Sequence, residues 1–217
     1  KRENTIIIWS RGEELITHQF PEIEQAANEL TTNVVLDGEL CVFDLENNKP
    51  LSFNHLQKRL QRKKVSQAML DNYPVKFIIY DILEYDFQDI RKEPLKLRKN
   101  KLVSLFKSHQ PKRFNLSLGL SCPSWDEAQI LHNTSRENLV EGFMIKKADS
   151  IYAQGRKKGD WWKYKVDPLC IDVVLIYAQK GHGIRAGLYS DYTLGIYNEK
   201  KELVPVAKAY SGLTNKE

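Results

Sequence analysis

Two stretches carry residues whose types and spacing could do phosphate chemistry. Glu141-Gly142-Phe143-Met144-Ile145-Lys146-Lys147 is a short apolar run bracketed by a carboxylate and two ammoniums, and Trp161-Trp162-Lys163-Tyr164-Lys165 alternates aromatic rings with lysines. On a β-strand the second would put Lys163 and Lys165 on one face and Trp162, Tyr164 and Val166 on the other. Two ammoniums about 6–7 Å apart on one strand face repel each other, and a polyanion lying across them, such as a nucleotide phosphate, would relieve that. The alternative is a solvated edge strand guarded by lysines. Glu39, in Asp37-Gly38-Glu39, is either a carboxylate carried into a cleft or an ordinary turn residue. Asp81 ends an apolar run and follows an aromatic residue, a placement common in active sites. Tyr80 before it is a core tyrosine or a plate for a base. Lys58, Arg59, Arg62, Lys63 and Lys64, five cations in seven residues, suit a phosphate backbone and a solvated charge run equally.

The elements that must position these groups read as follows. Thr5–Trp9 is a strand candidate followed by a turn at Ser10-Arg11-Gly12. Pro21 can start a short helix over 21–30, with Ile23, Ala26, Ala27 and Leu30 on one face. Asp37-Gly38 either turns a hairpin or lies within one continuous strand from Val34 to Phe43, its glycine allowing a close approach of backbone to a ligand. Ser52 can cap a helix presenting Phe53, Leu56 and Leu60. Lys76–Leu83 reads as a buried strand, Pro94 starts a helix to about Lys107, and Phe114–Leu120 is irregular or a short strand. Ser124 with Glu127 forms a capping box. Leu139–Lys146 and Trp161–Val166 read as strands, separated by a basic, glycine-containing loop. After Pro168, Ile171–Ala178, Gly187–Tyr197 and Leu203–Ala209 read as strands of a small β domain.

Bulk properties narrow the field. A chain of 217 residues, 41% hydrophobic and 28% charged, builds one sizeable core or a larger domain and part of a second. The net charge of +5 tolerates a nucleic-acid partner without demanding one. Cys41, Cys122 and Cys170 make neither a disulfide framework nor, with the histidines, a zinc-site spacing, which points to a reducing cytoplasm. Phosphate-loop and dinucleotide fingerprints are absent, as are a signal peptide and a membrane-length apolar run. The abrupt ends, Lys1-Arg2-Glu3-Asn4 and Ser211-Gly212-Leu213-Thr214-Asn215-Lys216-Glu217, suggest an internal piece of a longer protein.

Asp37-Gly38-Glu39, Tyr80-Asp81-Ile82-Leu83, Glu141-Gly142-Phe143-Met144-Ile145-Lys146 and Trp161-Trp162-Lys163-Tyr164-Lys165 resemble, in order and spacing, four motifs of the covalent nucleotidyltransferases, and of DNA ligases among them. Longer runs, including Trp9-Ser10-Arg11-Gly12-Glu13-Glu14, Leu56-Gln57-Lys58-Arg59-Leu60 and Gly155-Arg156-Lys157-Lys158-Gly159-Asp160, are similar to bacterial ATP-dependent DNA ligases encoded beside an exonuclease-like protein and a large helicase. The resemblance implies an α+β fold: an adenylation domain of antiparallel sheets with flanking helices over residues 1–168, lacking its N-terminal part, then the start of an OB-fold β-barrel over 169–217.

The same resemblance implies the reaction. A lysine attacks the α-phosphate of ATP, AMP passes to the 5′-phosphate of a nick, and the 3′-hydroxyl displaces it. Glu39 is expected on the ribose or the metal, Tyr80 on adenine, and Glu141 on Mg2+ or Mn2+. Lys163 and Lys165 are expected on the α-phosphate, and Arg11 on the nucleotide or nick phosphate. Lys58, Arg59, Arg62 and Lys63 are expected along the DNA backbone. Partners implied are ATP and nicked duplex DNA. The parent is expected to be a cytoplasmic monomer, off the membrane, joining the nucleoid when it works in DNA repair and recombination. One departure stands out: the family nucleophile lies in Lys-x-Asp-Gly, whereas the one Asp-Gly here follows Val35-Leu36 and Lys1 precedes Arg2-Glu3-Asn4. The fragment alone is therefore expected not to self-adenylylate. An RNA ligase or capping-type enzyme, or a non-catalytic nucleic-acid-binding module, are the alternatives.

Overall fold

The computed structural model describes residues 1–210 other than Gln61, Lys63, His109, Leu118 and Arg156, with backbone only at Ser108 and Ile184. The chain divides into two compact units, Lys1–Val166 and Asp167 onward. No helix among the described residues is long and apolar enough to cross a membrane.

The first unit is built on β1 (Val34–Asp44) and β3 (Val75–Tyr85), two long antiparallel strands. Short β2 (Lys49–Pro50) and β4 (Gln88–Asp89) flank them, and β5 (Phe114–Leu116) joins β3 in parallel. Helix α1 (Pro21–Asn28) has proline in its first turn, where a missing N–H costs nothing, and Glu22 and Glu24 beside its positive end. It buries Ile23, Ala26 and Ala27 against a core that includes Phe20, Val42, Val75, Ile79 and Ile82. Helix α2 (Phe53–Gln57) ends before the run of cations, so Lys58 and Arg59 stand in a turn rather than on a helix end. A short α3 (Gln67–Asn72), which apolar spacing did not reveal, is capped by Ser66. Helix α4 (Leu95–Ser108) packs Leu102 and Phe106 into the core.

Helix α5 (Trp125–Asn133) begins at Ser124, whose Oγ accepts from the Glu127 N–H as the capping signal predicts. Strands β6 (Gly142–Lys146) and β7 (Trp161–Lys165) form a separate antiparallel ribbon. The expected strand over Thr5–Trp9 is absent. Isolated bridges, Arg2 with Thr5 and Trp9 with Leu15, tie it down, together with Ile8, which donates its N–H to Thr17 Oγ1 and accepts from the Ile16 N–H at 2.9 Å each. Ile6 and Ile8 pack against the core while Ile7 and Trp9 face solvent, so the alternation is that of a half-buried extended segment with no neighbouring strand to ladder with.

The second unit is a three-stranded antiparallel sheet of β8 (Val174–Lys180), β9 (Tyr189–Tyr197) and β10 (Leu203–Ala209), with β9 in the centre.

Candidate functional site

The site grows from an irregularity in the β1–β3 ladder. Asp37 pairs with Asp81 and Gly38 with Ile79, which leaves Tyr80 as an extra residue on β3. Such a bulge re-aims side chains, and here Tyr80 and Asp81 together oppose Asp37. Gly38 permits the crossing, since a Cβ there would lie 2.5 Å from the Ile78 carbonyl oxygen and 2.5 Å from the Phe77 ring. β1 therefore runs straight through Asp-Gly, and the glycine's close neighbour is the backbone of β3.

Asp37 collects two phenols. The Tyr80 hydroxyl donates to Oδ1 at 2.9 Å and the Tyr152 hydroxyl to Oδ2 at 2.7 Å. Burial, followed by the charge and hydrogen bond of Asp37, raises both phenol pKa values well above the ordinary range, so both stay donors. Glu39 is exposed, and its charge contributes to raising Tyr80 and Cys41.

Asp81 behaves differently from its sequence expectation. It is fully buried and paired bidentately with the equally buried Arg98 of α4, at 2.9 Å for both bonds. It is an internal anchor for the bulge, with no surface to offer a substrate.

The ribbon supplies the basic face. Cross-strand pairs set Gly142 against Lys165, Met144 against Lys163 and Lys146 against Trp161, and paired side chains share a face. The opposite face carries Phe143 and Tyr164. The Tyr164 ring stacks on His132 of α5 at 4.0 Å, which packs that part of the face on α5 while Trp162 on the same face stays exposed. Gly142 adopts φ +119°, and a Cβ there would come 2.1 Å from the Tyr164 carbonyl oxygen. Glu141, just ahead of β6, is exposed and meets the Lys165 ammonium at 3.4 Å. The side chains of Arg11, Glu39 and Lys163 are exposed and make no hydrogen bond or ion pair among the described residues.

The segment joining β6 to β7 is fastened both to α4 and to β7. The first-turn amides of α4, on Leu95 and Lys96, donate to the Ser150 and Ala148 carbonyls at 2.8 and 2.9 Å, and the Trp161 indole N–H donates to Ser150 Oγ at 2.8 Å. The Lys146 ammonium lies 4.1 Å from the Trp161 ring centroid and 4.7 Å from that of Tyr80. Burial lowers its pKa. The sequence reading missed Asp37, Tyr152 and Lys146 as site residues; strand-pair parity could have found Lys146 opposite Trp161.

The basic run divides. Lys58 is exposed, its ammonium 3.2 Å from the Tyr73 hydroxyl, and Arg62 is exposed too. Arg59 is fully buried: its guanidinium meets Glu22 at 2.7 and 3.1 Å, the Gln19 carbonyl at 2.7 Å and the Tyr73 carbonyl at 2.9 Å. The expected DNA contact is withdrawn for Arg59, because its charge is spent inside the protein. Lys63 lies outside the described residues.

Comparison with known proteins places this arrangement. A probable DNA ligase of Koribacter versatilis is 36% identical over 231 residues, taking in 97% of this chain and 40% of that protein. The DNA ligase of Thermococcus fumicolans is 28% identical over 220 residues, covering 100% of this chain and 39% of its own length. The chain thus spans about two-fifths of these relatives. The mycobacterial DNA ligase D complexed with ATP and MES shares the fold, with a TM-score of 0.59 at 23% identity over 97% of this chain and 62% of that one. Residues 1–165 match the family described as the ATP dependent DNA ligase domain, and with that match the chain belongs to the ATP-dependent DNA ligases.

Proposed function

We propose that this chain is the adenylation module, with the start of an OB-fold barrel, of an enzyme that seals 3′-hydroxyl/5′-phosphate nicks in duplex DNA at the expense of ATP. The carrying observation is the joining of Tyr80 to the lysine ribbon: one aromatic ring, fixed at its hydroxyl by Asp37, sits against Lys146 on the face that also bears Lys163 and Lys165. A base stacked on Tyr80 would direct its phosphates along those lysines, a stacking contact of about 1–3 kcal/mol.

In the first step the P–N bond to a lysine forms as the bond from the α-phosphorus to pyrophosphate breaks. Lys163 and Lys165 hold the α-phosphate and offset the negative charge that builds on its oxygens, an effect worth about 2–4 kcal/mol per donor. The same two ammoniums serve the second step, in which the nick 5′-phosphate displaces the lysine at that same adenylyl phosphorus, while the third step occurs at the DNA phosphorus, from which AMP leaves. Glu39 accepts from the ribose hydroxyls, and Arg11, Lys58 and Arg62 meet nick or backbone phosphates.

Glu39 and Glu141 are exposed hard-oxygen donors, and no cluster of three or more metal-ligating side chains occurs among the described residues. That donor set fits Mg2+, which takes one or two carboxylates and completes its shell with phosphates and water. Bound there, it would neutralise phosphate charge and orient the leaving group. The attacking lysine is not in a Lys-x-Asp-Gly setting within these residues, so the chain by itself does not charge with AMP. We place the parent in the cytoplasm as a monomer, on the nucleoid when engaged with DNA.

The test is nick sealing by the full-length protein under single-turnover conditions. Lys163→Met and Glu141→Gln should each slow sealing about 30- to 1000-fold, as expected for losing charge stabilisation at one phosphorus. Sealing at the unaltered rate by Lys163→Met, or sealing with GTP but not ATP, would overturn the reading. The 217-residue chain incubated with labelled ATP and magnesium should form no acid-labile AMP adduct.

A further inference from the structure

Tyr152 stands on the segment between β6 and β7 and reaches both the ribbon and the sheet. Its N–H donates to the Arg91 carbonyl at 2.8 Å. Its ring meets that of Trp161, the first residue of β7, nearly at right angles with centroids 5.8 Å apart. The Arg98 guanidinium of α4 lies 5.9 Å from the same ring centroid. At its far end the hydroxyl donates to Asp37 Oδ2 on β1 at 2.7 Å, while the Tyr80 hydroxyl takes Oδ1 at 2.9 Å. Burial and this carboxylate keep the phenol protonated.

A stitch between ribbon and sheet needs only the ring, since phenylalanine would pack on Trp161 and Arg98 as well. The hydroxyl adds a constraint on Asp37. The terminal torsion of an aspartate is broad, so a carboxylate held at one oxygen can swing and carry its partner with it. Here each oxygen has its own phenol, and charge-assisted bonds of this kind are the strong ones. Asp37 is thereby fixed in plane, and Tyr80, held through it, is fixed in tilt. At the other end of Tyr152, Trp161 shares its strand face with Lys163, two residues and about 6–7 Å further along. One side chain therefore links the carboxylate behind the base-binding ring to the strand that carries the phosphate lysines.

We infer that Tyr152 is a positioning residue for the first step: through Asp37 and Trp161 it sets the spacing and angle between Tyr80 and the Lys163–Lys165 face, so that base and α-phosphate are engaged together. The inference rests on the proposed function, in which Tyr80 carries the base and the two lysines the phosphate. Tyr152 acts on the nucleotide only through these neighbours.

The test is Tyr152→Phe in the full-length protein, which keeps the ring and removes only the bond to Asp37. Three calorimetric titrations in magnesium read it: adenosine for the base, tripolyphosphate for the lysines, and α,β-methylene-ATP, which cannot transfer its adenylyl group, for both at once. Adenosine and tripolyphosphate should bind within about twofold of the parent, while the ATP analogue weakens about fivefold to tenfold, because only the gain from joining two contacts in one ligand is lost. Self-adenylylation at saturating ATP should slow about 10- to 100-fold, the scale of a small misplacement of reacting atoms. In an Asp37→Ala background the same change should add less than about twofold, since the carboxylate it acts through is gone. A loss for adenosine or tripolyphosphate as large as that for the analogue overturns the inference, and so does a urea midpoint lowered by more than about 1 M, which would mark a structural stitch. Parent-like analogue binding and self-adenylylation overturn it too, as does an undiminished effect in the Asp37→Ala background. Failure of the unaltered protein to bind the ATP analogue would instead overturn the ligase reading beneath it.

Discussion

Replacing Arg98 by methionine is the sharpest probe of how the site is built. In the native fold its guanidinium donates two bonds of 2.9 Å to Asp81 and one of 3.3 Å to the Ser150 carbonyl, and it also meets the Glu93 carbonyl. Neither member of the ion pair has any exposed side-chain surface. Arg98→Met leaves the Asp81 carboxylate in the interior with one remaining donor, the Ile82 N–H at 2.9 Å. An uncompensated buried charge of this kind costs about 3–5 kcal/mol. With a urea slope of about 2 kcal/mol/M, the unfolding midpoint should fall by about 2 M. Removing both charges in Asp81→Leu/Arg98→Met abolishes the stranded carboxylate. It leaves the Glu93 carbonyl short of a donor and the Ile82 N–H short of the Asp81 acceptor, while the Ser150 carbonyl keeps the Leu95 N–H; such neutral groups cost about 1–3 kcal/mol, so the double variant should be the more stable of the two. All four tryptophans, Trp9, Trp125, Trp161 and Trp162, lie in the first unit, so indole fluorescence in urea follows that unit. A loss below about 1 kcal/mol for Arg98→Met, or a double variant no better than the single one, would refute the argument that this pair anchors the bulge beneath Tyr80.

Three further outcomes are expected. Gly142→Ala meets both a φ of +119° and a contact of 2.1 Å with the Tyr164 carbonyl oxygen; it should cost at least about 2 kcal/mol in the same urea assay and weaken nucleotide binding, because the register that faces Glu141 toward Lys165 is lost. Arg59→Met should destabilise the first unit by about 3 kcal/mol or more by stranding Glu22, whereas Lys58→Ala with Arg62→Ala should leave stability unchanged and reduce the salt dependence of nicked-DNA binding. Burial, with a smaller contribution from Glu39, pushes the Cys41 thiol from 9.0 up to about 11. At pH 8 a disulfide reagent should therefore label exposed Cys122 and Cys170 well before Cys41. Between those two values the unfolded chain has lost a proton that the folded chain keeps, so stability should fall as pH rises through that window.

Local pattern made much of this protein legible. The lysine and aromatic alternation over Trp161–Lys165 gave the faces of β7 correctly, because a strand's period of two is a local property. The capping signal at Ser124 and proline at the start of α1 marked real helix starts for the same reason. Long-range pairings were not legible. Arg59 sits in a run of cations, and its burial depends on Glu22, 37 positions away. Asp37 and Asp81 are both carboxylates beside motif residues, yet one binds two tyrosines and the other an internal guanidinium. The bulge that separates them is a mismatch between strands 30 residues or more apart, invisible to any window along the chain. The strand expected over Thr5–Trp9 failed because a ladder needs a partner that its own residues do not specify.

The fastening of the ribbon to α4 through the Ala148 and Ser150 carbonyls bears on how this protein can move and vary. Main-chain bonds are indifferent to side-chain identity, so position 148 is free to drift in sequence without loosening the joint. Its opening would bare two helix-start amides together with the Arg98 guanidinium, which also reaches Ser150. The β6–β7 ribbon, α4 and the Tyr80 bulge should therefore travel as one block through a catalytic cycle. In hydrogen exchange, the Leu95 and Lys96 amides should then be protected like those of the sheet, unlike the freely exchanging first turn of an ordinary surface helix.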